Sequence, residues 1–121
     1  FVETGKTAPA FDLILLGLGE DGHTASLFPG SRLLSEETRW VAAEISPAIN
    51  PPRITLTLPI INRAACVLFL VAGRNKAEVL KRVVEDGDPE LPASLVRPAS
   101  GRLIFAVDRP AAYYLKNIQR L

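Results

Sequence analysis

Apolar residues in this chain fall into short runs separated by glycine and proline turns, with one longer stretch of helical period. The first run, Phe11-Asp12-Leu13-Ile14-Leu15-Leu16, ends on Gly17. It is too short for a packed helix, and its continuity predicts a buried parallel strand over 11–16. After a glycine turn, residues 23–28 are expected to make about one and a half helical turns before Pro29-Gly30 stop them. Residues 39–45 alternate loosely and read as a second strand. Pro47, Pro51 and Pro52 make the next segment a stiff, extended loop. Arg53-Ile54-Thr55-Leu56-Thr57-Leu58 is rich in β-formers, and Pro59 opens a short helix to Ala64. The most continuous apolar stretch, 66–72, is predicted as the central strand, ended by Gly73.

Beyond Gly73 the period changes. Ala77, Leu80, Val83 and Val84 are spaced for one face of a helix, with Lys76, Glu78, Lys81, Arg82 and Glu85 between them. Asp86-Gly87-Asp88-Pro89 ends it. Residues 91–100 carry two prolines and read as loop with at most a helical turn. Residues 103–107 form a last strand, and Asp108 is placed to cap a final helix from Arg109-Pro110 toward Lys116. Strands alternating with helices predict a parallel α/β layer over a single unit, 1–121.

Composition narrows the function classes. With 48% hydrophobic and 22% charged residues the chain reads as globular. Fourteen basic against 13 acidic side chains give a net charge of +1, so neither nucleic acid nor an anionic membrane is suggested as a partner. No stretch approaches the roughly 18 apolar residues of a membrane span, and no signal-peptide pattern opens the chain, so a cytoplasmic location is expected. The single cysteine, Cys66, lies in an apolar run and reads as buried filler. The chain has no methionine and opens on Phe1, from which a missing segment at its front is expected.

The candidate chemistry centres on the one histidine. His23 ends Gly17-Leu18-Gly19-Glu20-Asp21-Gly22-His23, directly after the first predicted strand. Ligands collect at the carboxyl ends of strands in open α/β sheets, and imidazole titrates near neutral pH, which makes His23 a candidate general base. Asp21 either fixes the imidazole tautomer and steadies its cation or only shapes the turn. Gly17-x-Gly19-x-x-Gly22 matches the dinucleotide-binding fingerprint. That fingerprint needs a full helix facing the pyrophosphate, and Pro29-Gly30 cut this one short, so no cofactor is expected. One histidine and one cysteine offer no clustered ligand set, so no metal is expected either. Ser26 lacks the Gly-x-Ser-x-Gly elbow of a nucleophile and reads as structural.

The run Leu16-Gly17-Leu18-Gly19-Glu20-Asp21-Gly22-His23-Thr24-Ala25-Ser26-Leu27-Phe28-Pro29-Gly30-Ser31 resembles the signature of the 6-phosphogluconolactonase family, related to the glucosamine-6-phosphate isomerases/deaminases. Further likeness lies in Pro52 to Pro59, Gly73-Arg74-Asn75-Lys76, Pro92-Ala93-Ser94-Leu95, and Asp108 with Ala111-Ala112. It covers nearly the whole chain and corresponds to roughly the C-terminal half of that family. The resemblance implies a Rossmann-like, mostly parallel sheet with flanking helices, incomplete because the family's N-terminal half, with its phosphate-binding loop, is absent. It implies hydrolysis of 6-phosphoglucono-δ-lactone, with His23 as the base on water and Asp21 as its partner. Gly17, Gly19 and Gly22 would offer backbone N–H groups to the oxyanion, and Arg53 and Lys76 would hold the anionic substrate, Arg74 being left to the surface. Phe28 stands where the deaminases carry a proton-transferring glutamate, which favours lactone hydrolysis over isomerisation. The alternative is a non-catalytic, sugar-phosphate-binding remnant of the same fold. Association with another copy or with the absent half is an open expectation for either.

Overall fold

The computed structural model describes residues 8–118 and builds them around the chain's most continuous apolar run. That run, β4 (Cys66–Val71), pairs in parallel with β1 (Ile14–Leu16) on one side and β5 (Arg102–Val107) on the other, giving a three-stranded sheet of order β1-β4-β5. Side chains alternate across a strand, so one face receives Ile14, Leu16, Val67, Phe69 and Val71, all buried. Phe69 stacks on Phe105, its partner in register, with ring centroids 4.7 Å apart. The other face is open among the described residues: Leu15 and Leu70 are 57% and 55% exposed. Cys66 lies on that face and is only half-buried, so it is not the enclosed filler its apolar neighbours predict.

The inner face shares one hydrophobic cluster with two helical pieces. The first is α1 (Leu58–Ile61), with Pro59 in its first turn as predicted, burying Leu58, Ile60 and Ile61. The second begins as a 3-10 turn at Arg74–Lys76, continues as α2 (Ala77–Lys81) and widens into a π turn at Arg82–Asp86. Ala77, Leu80 and Val83 are buried as the period predicts, but Val84 is 41% exposed and Val79 is buried. The wider turn changes the angular step between residues and swings Val84 away from the core. Gly87, at φ +59°, closes the helix by donating its N–H to the Arg82 carbonyl.

Further sequence expectations are corrected, among them the loop expected at Pro51 and Pro52, which lie within a strand. The strands around 39–45 and 53–58 do not join the parallel sheet; β2 (Val41–Ser46) and β3 (Ile49–Leu56) form a separate antiparallel ribbon. Its register passes from Glu44 opposite Arg53 to Ser46 opposite Ile49, so one residue of β2 faces Asn50, Pro51 and Pro52 of β3. The prolines, which lack an N–H, sit in this irregularity, where the ladder is already broken. Residues 23–28 are not helical: Thr24 and Leu27 form an isolated antiparallel bridge with Ala25 between them at φ +49°. Residues 109–114 form successive turns rather than a helix, although Asp108 accepts the Ala111 N–H at 2.9 Å as a cap would. A single 3-10 turn at Pro92–Leu95 matches the helical turn allowed there. No helix of the described residues is long and apolar enough to cross a membrane.

Phe69 is fully buried at the centre of the sheet. Phe69→Ala should cost about 3–5 kcal/mol of stability, read as a lower urea midpoint. An unchanged midpoint would show that the sheet is not the stabilising core.

Candidate active site

Because the three strands of the sheet run parallel, their carboxyl ends share one edge, where β1 leads into Gly17, β4 into the Gly73 turn and β5 into Asp108. Ligand sites of open α/β sheets lie at such an edge. The loop after β1 is closed by its own hydrogen bonds. The Gly19 N–H donates to the His23 carbonyl at 2.9 Å, the Gly22 N–H to the Gly19 carbonyl at 3.0 Å, and Thr24 Oγ1 to the Gly17 carbonyl at 2.8 Å. Gly22 turns at φ +87°, a conformation that favours glycine. Gly19 is required for space, since a Cβ there would lie 2.1 Å from His23 Nδ1.

That closure presents the imidazole. His23 Nδ1 lies 2.5 Å from Asp21 Oδ1, and the same oxygen accepts the His23 backbone N–H at 3.0 Å. With Nδ1 engaged, Nε2 is the ring nitrogen available to a ligand. Phe28 packs on the ring, centroids 4.8 Å apart. Burial works to raise the Asp21 carboxyl, but the His23 amide, ring and charge outweigh it and hold Asp21 below the ordinary carboxylate range. Asp21 thus both shapes the turn and engages the imidazole.

His23 lines a cleft of about 400 Å³ together with Leu15, Leu16, Gly17, Leu18, Gly19, Ala25 and Lys76. Lys76 Nζ donates to the Leu18 carbonyl at 2.7 Å, which points the ammonium at the loop and leaves further donors on it for an anion. The neighbouring Asn75 side chain donates to Glu20. Of the residues singled out in the sequence, the structure therefore brings together His23, Asp21, Lys76, Gly17 and Gly19. Gly22 is buried against Leu91 instead of lining the cleft. The N–H groups of Gly19 and Gly22 are spent on protein carbonyls, so neither serves an oxyanion as expected. Arg53 stands exposed on β3 opposite Glu44, outside the cleft lining. Arg74 lies over the Tyr113 ring at 3.3 Å, outside the cleft lining. Ser26 is held through its backbone N–H, which donates to Thr55 Oγ1 at 3.0 Å.

A larger concavity of about 560 Å³ lies between residues 28–33 and the β2–β3 ribbon. Its buried Glu44 is already engaged by the Ser31 hydroxyl, so the reactive groups belong to the smaller cleft. Sequence reasoning missed Ala25, Glu20 and the Leu18 carbonyl. Only the Gly-rich composition around them hinted at a loop that folds back on itself. Among the described residues no group of three or more His, Cys, Asp or Glu is placed to hold a metal ion.

Residues 2–105 match the family model described as glucosamine-6-phosphate isomerases/6-phosphogluconolactonase. The 6-phosphogluconolactonase of Rattus norvegicus is 50% identical over 92% of this chain, which spans 44% of that relative. A solved structure of the devB protein superposes with a TM-score of 0.80 at 31% identity, over 90% of this chain and 46% of its own. The 6-phosphogluconolactonase of Trypanosoma brucei gives a TM-score of 0.78 at 35% identity, over 94% of this chain and 46% of its own. The chain thus spans a little under half the length of the relatives it matches.

The depressed Asp21 carboxyl makes a pH prediction. A folded-state pKa held below the ordinary aspartate value stabilises the fold while Asp21 is ionised, and that contribution disappears as pH falls through the depressed value. The stability difference between the chain and its Asp21→Asn variant should therefore narrow once the pH drops below about 4, by urea unfolding at stepped pH. A difference that stays flat through that window would mean the His23–Asp21 contact contributes nothing to the fold.

Proposed function

The chain belongs to the glucosamine-6-phosphate isomerase/6-phosphogluconolactonase family, and on that premise we propose that it carries the general base and part of the anion site for hydrolysis of 6-phosphoglucono-δ-lactone to 6-phosphogluconate in the pentose phosphate pathway. The observation that carries this reading is His23, oriented by Asp21 and facing the same cleft as Lys76. Asp21 accepts from Nδ1–H, which leaves the Nε2 lone pair to take a proton from water as its oxygen attacks the lactone carbonyl. The tetrahedral intermediate collapses with cleavage of the bond to the ring oxygen, and the imidazolium returns the proton to that leaving oxygen. Lys76 holds negative charge on the substrate. Phe28, packed on the imidazole, has no proton to transfer, which supports hydrolysis over the isomerase chemistry of the same family.

Arg53 outside the cleft leaves Lys76 as the only cation lining it among the described residues, and this favours a second reading, sugar-phosphate binding without turnover. Balanced charge and a single cysteine fit a cytoplasmic setting. The open sheet face supports a half-domain that is covered by another polypeptide surface.

In the active protein His23→Ala should slow lactone hydrolysis by about two to four orders of magnitude, after subtraction of spontaneous opening, while 6-phosphogluconate still binds. Near-normal turnover would remove His23 from the mechanism. Product binding with no turnover even in the unsubstituted protein would select the second reading. Lys76→Ala should weaken substrate binding by about 1.5–3 kcal/mol, the scale of a hydrogen bond to a charged group, raising KM more than it lowers kcat. An unchanged KM would place the anion elsewhere.

A further inference from the structure

We propose that Asp108 is the positioning residue for Lys76: its carboxylate fixes the Gly73 turn from which the ammonium is presented to the cleft. This rests on the reading of that cleft as an anion site. Strands β4 and β5 run in register to Val71 and Val107, and just beyond them Asp108 continues the pairing through both its backbone and its side chain. Its N–H donates to the Val71 carbonyl at 3.2 Å, and both carboxylate oxygens accept the Gly73 N–H at 3.1 Å. The Ala111 N–H donates to the same carboxylate at 2.9 Å, so one side chain ties the segment after β5 to the segment after β4.

Gly73 is where such a tie has most effect. At φ +98° and ψ 148° it occupies backbone space that side-chain-bearing residues avoid, and glycine itself has no strong preference for it. An external bond must therefore select the direction in which the chain leaves β4. Three residues later the Lys76 N–H donates to the Gly73 carbonyl at 3.1 Å, so an error in the direction of Gly73 passes directly into the 3-10 turn that carries Lys76. The same segment after β5 makes a second contact, Tyr113 beneath the Arg74 guanidinium. From the other side Asn75 reaches Glu20, and Lys76 reaches the Leu18 carbonyl. Residues 73–76 are thus held between the end of β5 and the loop that bears His23. A lysine stem has many rotamers, and an ammonium set by its turn loses less entropy when an anion arrives.

The test is a double-mutant cycle in the active protein, read by steady-state hydrolysis and by calorimetric binding of 6-phosphogluconate. Asp108→Ala should raise KM and Kd about tenfold with kcat within about twofold, the loss expected of hydrogen bonds that involve a charged group. Asp108→Asn, which keeps one acceptor oxygen, should fall between. In a Lys76→Ala background Asp108→Ala should add nothing, because its effect passes through the missing ammonium. Additive effects, or a fall in kcat at constant KM, would overturn the proposal. A second readout needs no ligand: the Lys76 ε-carbon NMR signal should shift toward that of free lysine in Asp108→Asn. If that shift occurs while the unsubstituted protein binds no 6-phosphogluconate, the anion reading falls and the positioning role stands. If the signal does not move, the positioning role falls, even where Asp108→Ala is too unstable to assay.

Discussion

The parallel pairing of β4 with strands on both sides determines where chemistry can occur in this chain. Antiparallel neighbours would send their following loops to opposite ends of the sheet. Parallel ones bring the loop after β1, the turn after β4 and the segment after β5 to one edge. The buried side chains of Val67, Phe69 and Val71 make this arrangement stable, since a one-residue slip of β4 would turn all three toward the open face. The hydrophobic register of one strand therefore places the imidazole of His23 and the ammonium of Lys76 on the same cleft.

Within that frame the loop 17–28 trades backbone donors for rigidity. The N–H groups of Gly19 and Gly22 are used to close the turn, which fixes the imidazole but leaves them unavailable to developing negative charge. Ala25 adds a residue at φ +49°, a conformation that side-chain-bearing residues adopt at a cost of about 1–3 kcal/mol and that tends to persist at functional sites. Lys76 is thereby left as the one lysine or arginine lining the cleft among the described residues.

The sequence made the strands and the histidine of the cleft legible for different reasons. Runs such as 11–16 and 66–72 were legible as strands because they are too short for a packed helix and almost continuously apolar, although only one face of each strand is buried among the described residues. His23 was legible because a glycine-rich turn follows one of those strands. The partner of β2 was not, although the alternation in both runs is the pattern of half-solvated antiparallel strands, because alternation does not say which strand pairs with which. The non-helical turn at 23–28 was hidden by residues that are acceptable helix formers, and a tertiary hydrogen bond from Ser26 to Thr55 overrides that propensity. Arg53 was read through the motif around it, and no local pattern in the chain reveals that β3 carries it outside the cleft lining.

The two halves of the cleft differ in how far along the chain their contacts reach. Asp21 and His23 are two residues apart, whereas Lys76 and the Leu18 carbonyl are separated by 58. A contact of the first kind closes almost no loop and can form while the rest of the chain is still unordered; one of the second kind must wait until β1 and β4 have found each other. By that ordering the Asp21–His23 contact forms before the Lys76–Leu18 contact, and fraying of the sheet breaks the Lys76 contact first.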